Sequence, residues 1–208
     1  MRTVAIRINL YKADELNPKA FERAYREWLE NYEYPYEEDN ENSLKAFLEM
    51  FGDSVKVRIG MDGNMHPYLR TLTLCIDPQL KELKGERAAK WFINNTWEYM
   101  NRPKTYRLRS GKSRQSRIFT EEGLPTGYVM DEYLLSPIRE AIEMKHPERT
   151  VKQTIRKCIE AWCESYATDY DYCTSEECFK EEAKENGWEY DAEGELKIDD
   201  GTWTECTK

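Results

Sequence analysis

Histidine is nearly missing from this chain, with two in 208 residues. His66 and His146 each precede a proline, and no Cys–His or Ser–His signature surrounds either of them. Nucleophilic catalysis relayed through imidazole therefore has little to draw on. Glycine-rich phosphate loops of the P-loop or dinucleotide type are absent. No apolar run approaches the roughly 18 residues that a membrane span requires. The opening stretch, Met1-Arg-Thr-Val-Ala-Ile-Arg-Ile, alternates apolar and charged residues where a secretory leader would carry an apolar core. The expected compartment is the cytoplasm, where the six cysteines stay reduced.

Acidic residues are missing from one place in particular. Residues 102–117 hold seven basic side chains and no carboxylate, while the whole chain carries a net charge of −9. Residues 1–101 have 14 basic against 17 acidic groups, and residues 118–208 have 10 against 23. The charge pattern suggests three parts: an α+β N-terminal part (1–101), a basic connector (102–117), and an acidic, mainly helical C-terminal part (118–208). One compact domain overall is also compatible with this length. A net charge of this sign argues against general affinity of the whole molecule for DNA or acidic membranes.

What is abundant is aromatic: 14 Tyr, 6 Trp and 6 Phe, enough to build a core despite a charged content of 34%. Residues 2–10 alternate, with Val4, Ile6, Ile8 and Leu10 on one face of an expected strand. Asn17-Pro18 is an N-cap followed by a proline at the first helical position, and the apolar stripe after it predicts a helix ended by Pro35. Glu37–Glu41 reads as a polar loop and Ser43 as the cap of a second helix. Strands are expected at Val55–Ile59 and within 68–76, joined by the turn residues Met61-Asp62-Gly63-Asn64. Residues 79–100 read as helical with a break at Gly85, ended by Pro103. Gly123–Gly127 reads as a turn. Helices follow at 133–144, 150–166 and 175–186, then a terminal hairpin turning at Asp191–Gly194. The expected fold is α+β: a small, mostly antiparallel sheet with packed helices, then a mainly helical part with a terminal hairpin.

Three stretches resemble a family of uncharacterised accessory proteins of phages and prophages. They are Leu10-Tyr11-Lys12-Ala13-Asp14-Glu15-Leu16 with Trp28; Leu124-Pro125-Thr126-Gly127-Tyr128 with Asp131-Glu132; and Tyr170-Asp171-Tyr172-Cys173-Thr174-Ser175-Glu176-Glu177. This chain has Cys173 where family members usually have Leu. Some members are labelled antitoxins of a toxin–antitoxin system, a label that no DNA-binding or toxin-neutralising element here matches. The resemblance implies a phage gene product acting in the cytoplasm of a bacterial host, and it carries over no catalytic residue.

The candidate chemistry is that of binding. Arg107, Arg109, Lys112, Arg114 and Arg117 can neutralise phosphates, with Tyr106 and Phe119 available for stacking. The same cations can instead neutralise the chain's own acidic part, or dock an acidic partner. Trp188 and Trp203 are candidates for a protein interface, or for packing onto the preceding helices. Cys158–Cys163 and Cys173–Cys178 have spacings at the edge of zinc-binding patterns, but the first pair falls in a helical stripe and reads as buried thiols. No metal or cofactor is implied. The leading expectation is a non-enzymatic protein that inhibits a host defence system, of anti-CRISPR or anti-restriction type. It would act by protein–protein contact or by acidic DNA mimicry on a host or phage macromolecule. The alternatives are a nucleic-acid-binding accessory protein and an enzyme of unrecognised type.

Overall fold

A computed structural model describes residues 8–61, 69–108 and 111–197. Among them are seven α-helices and two antiparallel two-stranded sheets, so the chain is α+β, with strands in the N-terminal half and a mainly helical C-terminal part. It divides into two compact units, one of Met1–Tyr34 with Tyr170–Lys208, the other Pro35–Asp169. This division does not follow the charge boundaries at 101 and 117. The first unit carries 10 basic and 19 acidic residues, the second 21 and 21. The whole net charge of −9 therefore belongs to the first unit.

The first unit joins both ends of the described chain. A short 3-10 turn (Ala13–Glu15) leads into α1 (Pro18–Glu30). Asn17 caps α1 as expected, its Oδ1 accepting from the amides of Lys19 and Ala20, and its Nδ2 also donates to the Ala192 carbonyl at 3.3 Å. α6 (Val151–Cys173) delivers its last turn to this unit, followed by α7 (Glu176–Glu185), capped by Ser175. The chain then reverses at Asp191–Gly194 in a minimal hairpin with one bridge, Tyr190 to Leu196, while Tyr190 also bridges Tyr11. Gly194 has φ +82°, and a Cβ there would press into the backbone carbonyl of Ala20, so only glycine lets the turn lie on α1. The core is Ala13, Ala24, Phe179, Ala183 and Tyr190, with Phe21, Tyr25, Trp28 and Trp188 packed around it.

In the second unit, α2 (Glu37–Glu49) starts six residues before the expected Ser43 cap. Glu37, Glu38 and Asp39 are not a loop; they occupy the first turn, where carboxylates favour the positive end of the helix dipole. Ser43 is buried mid-helix. β1 (Val55–Met61) pairs with β2 (Leu69–Ile76), setting Val55, Val57 and Ile59 opposite Ile76, Leu74 and Leu72. The helical run after Asp77 does break at Gly85 (φ +59°), into α3 (Pro78–Lys81) and α4 (Glu86–Met100). α5 (Met130–Met144) and α6 complete the unit around Phe47, Phe92, Leu134, Leu135, Ile138, Ile155 and Ile159. Trp162 is 1% exposed and donates its indole N–H to the Asn40 carbonyl at 3.1 Å, which ties α6 to α2.

Two expectations differ at the level of elements. The basic stretch is not a connector between folded parts: Asn101–Arg107 (β3) and Ser113–Glu122 (β4) form an antiparallel hairpin within the second unit. The strand expected at 2–10 falls mostly outside the described residues; its described part, 8–10, is not in a strand, and Ile8 and Leu10 are exposed. The turn residues 62–64 and His66 also lie outside the described residues. Among the described residues no helix is long and apolar enough to cross a membrane.

An ion-pair knot closes the α5–α6 link. Glu140 accepts from Arg149 Nη1 at 2.7 Å and faces His146 Nε2 at 3.0 Å. Arg149, then His146, holds the Glu140 carboxyl well below the usual range, at about 2. A depressed folded-state pKa stabilises above the unfolded value, and that stabilisation is lost as pH falls from about 4.5 through about 2. The carboxylate is partly solvated, so Glu140→Gln is expected to cost on the order of 0.5–1 kcal/mol at neutral pH. Thermal melts of both proteins from pH 7 to pH 2 should show their difference closing below about pH 3.

Candidate functional site

The basic residues sit on the β3–β4 hairpin because the sequence there is locally a hairpin. Thr105 and Tyr106 favour strand, as do the Ile118-Phe119-Thr120 positions of β4. Gly111, with φ +80°, supplies the turn, and its N–H donates to the Leu108 carbonyl at 2.9 Å. The hairpin leaves α4 directly at Met100, and the Gly123 N–H returns to the Met100 carbonyl at 2.7 Å, closing its base. Pro103 is tolerated because, among the described residues, β3 pairs with β4 alone and its other edge carries no ladder bond.

Register places the side chains. Tyr106 stands opposite Arg114, Arg107 opposite Ser113, and Thr105 opposite Gln115. Alternation then puts Tyr106, Leu108, Lys112 and Arg114 on one face and Arg107 on the other. Arg107, Lys112, Arg114 and Arg117 are all exposed. Among the described residues none of these four forms an ion pair; Arg107 Nε donates only to the Gly111 carbonyl, at 3.4 Å. Tyr106 is 47% exposed and Leu108 39% exposed, in line with the cations of that face. Arg109 lies outside the described residues.

The tryptophan expectations separate. Trp188 is half-buried against the core of the first unit, so its ring packs there in large part. Trp203 lies outside the described residues. The cysteines on α6 sit inward: Cys158 is fully buried and its thiol donates to the Thr154 carbonyl, and burial pushes its pKa upward. Burial also pushes the Cys163 thiol up, to about 11. Neither is a reactive thiolate at neutral pH. Among the described residues no group of three or more His, Cys, Asp or Glu side chains is placed to hold a metal ion. His146 points to a carboxylate and not to a nucleophile.

Sequence reasoning missed two built features. One is the loop before α5, where the buried carboxylate of Asp131 gathers the amides of Thr126 and Gly127. The other is a cleft of about 400 Å³ in the first unit, whose walls come from residues more than 150 positions apart. No local pattern announces either. No family model, no curated protein and no solved structure matches this chain.

Proposed function

We propose that this protein binds nucleic acid through the β3–β4 hairpin. One observation carries the reading: Arg107, Lys112, Arg114 and Arg117 stand exposed with Tyr106 on a two-stranded ribbon, none of the four has a carboxylate partner among the described residues, and the ribbon's own Glu121 and Glu122 lie at its base, where Glu122 pairs with Arg139. A duplex major groove is about 12 Å wide and admits such a ribbon. Lys and Arg on it neutralise phosphates, and an exposed Tyr adds a stacking surface for an unpaired base. The acidic first unit opposes nonspecific adhesion, which leaves the hairpin as the expected point of attachment.

Fluorescence anisotropy of the full chain with labelled duplex and single-stranded DNA tests this. Four phosphate contacts on a duplex predict a log–log salt slope of about −3.6. Replacing Arg107, Lys112, Arg114 and Arg117 together with Ala is expected to weaken binding at least tenfold without loss of fold, since all four are exposed and make no ion pair. Tyr106→Ala is expected to weaken single-strand binding by about 1–3 kcal/mol and duplex binding less. Affinity unchanged in the fourfold variant overturns the proposal.

A second reading rests on the charge partition. With 10 basic and 19 acidic residues, the first unit suits the cationic channel of a nucleic-acid enzyme, as an acidic inhibitor of a host defence system would. In the same titrations, a chain that fails to bind DNA itself but displaces DNA from a basic nuclease, equally well in the fourfold variant, favours this reading over the first.

A further inference from the structure

The cleft of the first unit is lined by four aromatic rings: Trp28 and Tyr32 from α1 and its end, and Trp188 and Tyr190 after α7. Three carboxylates stand among them, Glu27, Glu33 and Glu182. Among the described residues that line it there is no Lys or Arg. The rings are held. Trp28 meets Tyr32 at 4.8 Å and Phe179 at 5.3 Å between centroids, and its indole N–H donates to Glu182 Oε2 at 3.1 Å. That bond fixes the indole plane and leaves the Glu182 charge at the cleft wall. Tyr190 is buried, and burial followed by Glu182 and Glu27 pushes its phenol up to about 12, as expected where the local field is negative. The same aromatic cluster already takes one cation of its own: Lys180 Nζ stands 4.7 Å from the centre of the Phe21 ring.

From this geometry we propose that the cleft binds an alkylammonium group, preferentially a quaternary one. Ring faces attract a cation through their quadrupole, most strongly in Trp, and the methyl groups of a quaternary ammonium bury against the rings without leaving an N–H unsatisfied. A volume of about 400 Å³ fits a head group of choline size and lies at the lower end of small-ligand sites. The carboxylates supply the net charge that a neutral aromatic slot lacks; the rings and the cleft they line, and not the acidity alone, make the site. It is independent of the hairpin.

The group can arrive as a free small molecule or on a trimethylated lysine of a peptide. Titration of the full chain, followed by tryptophan fluorescence and calorimetry, separates them: choline in one arm, an N-acetyl trimethyl-lysine amide in the other, and 3,3-dimethyl-1-butanol as the uncharged isostere of choline. One or both cations are expected to bind at least tenfold more tightly than the isostere. Replacing Glu27, Glu33 and Glu182 together with Gln is expected to weaken the cation at least fivefold. A glutamine at 182 still accepts the Trp28 N–H, so circular dichroism and the melting temperature should stay close to wild type. Equal binding of the isostere, binding unaffected by the triple change, or no binding in either cation arm overturns the proposal.

Discussion

Phe179→Ala is expected to destabilise the protein by about 3–5 kcal/mol in urea denaturation followed by near-ultraviolet circular dichroism. Phe179 has no exposed surface. Its ring lies 5.3 Å from Trp28, 5.6 Å from Phe21, 5.8 Å from Tyr25 and 6.3 Å from Tyr190, between centroids. Removing it leaves a cavity at the point where α1, α7 and the C-terminal hairpin meet. The partners are bulky rings whose backbones are tied by the Asn17–Ala192 and Tyr11–Tyr190 hydrogen bonds, so the site cannot collapse to refill it. Near-ultraviolet ellipticity should fall with stability, because the lost ring orders two tyrosines and a tryptophan. Met144→Ala, on a side chain 65% exposed, serves as the control and is expected to change stability by no more than about 0.5 kcal/mol. A Phe179→Ala cost equal to that of the control would mean that this cluster is not a core.

Why one part of the fold was legible and another was not follows from where the determinants sit. α1 announces itself within eight residues: Asn17 caps it, Pro18 pre-sets its first turn, and Ala20 and Ala24 begin its buried stripe. The break at Gly85 is equally local, because the backbone there needs a positive φ. The start of α2 was misplaced because three acidic residues in a row look like a solvated loop, whereas at a helix N-terminus the same charges are favourable. Residues 102–117 were misread as a connector for a similar reason. Their charge dominated the pattern, and the β-prone Thr105 and Tyr106, with a turn glycine at 111, carried the conformational information.

The sites divide in the same way. Arg107, Lys112, Arg114 and Arg117 could be picked from composition, because a run of cations is visible in one dimension; their exposure and lack of ion pairs could not. The aromatic cleft had no such signature. Trp28 and Glu182 are 154 positions apart, and their meeting depends on the return of the chain's last third to α1. Trp188 stands out for its polar neighbourhood in the sequence, and in the fold its ring packs in part against the core of the first unit. The charge asymmetry was real but wrongly partitioned. It separates the paired chain ends from the middle and does not separate the halves of the chain.

Asp131→Ala is the other large effect expected, about 2–3 kcal/mol, and it bears on the hairpin's base. The side chain is 1% exposed in the first turn of α5. Its carboxylate accepts the Thr126 N–H at 2.8 Å, the Gly127 N–H at 2.9 Å and the Thr126 hydroxyl at 2.9 Å, while that hydroxyl also lies 3.2 Å from Ser43 Oγ on α2. These bonds hold the 123–129 loop, which carries the chain from β4 into α5. Alanine would leave the Thr126 and Gly127 amides without the acceptor that orders the loop. Thr126→Ala keeps both amide bonds and is expected to lose under about 1.5 kcal/mol, so the pair separates the carboxylate's contribution from that of the hydroxyl. Combining the two changes should cost less than their sum, because they share bonds. The hairpin cations lie outside this network, so the salt slope of nucleic-acid binding should be unchanged in Asp131→Ala under conditions where it remains folded. A changed slope would show that the loop, and not the β3–β4 register alone, sets where those cations stand.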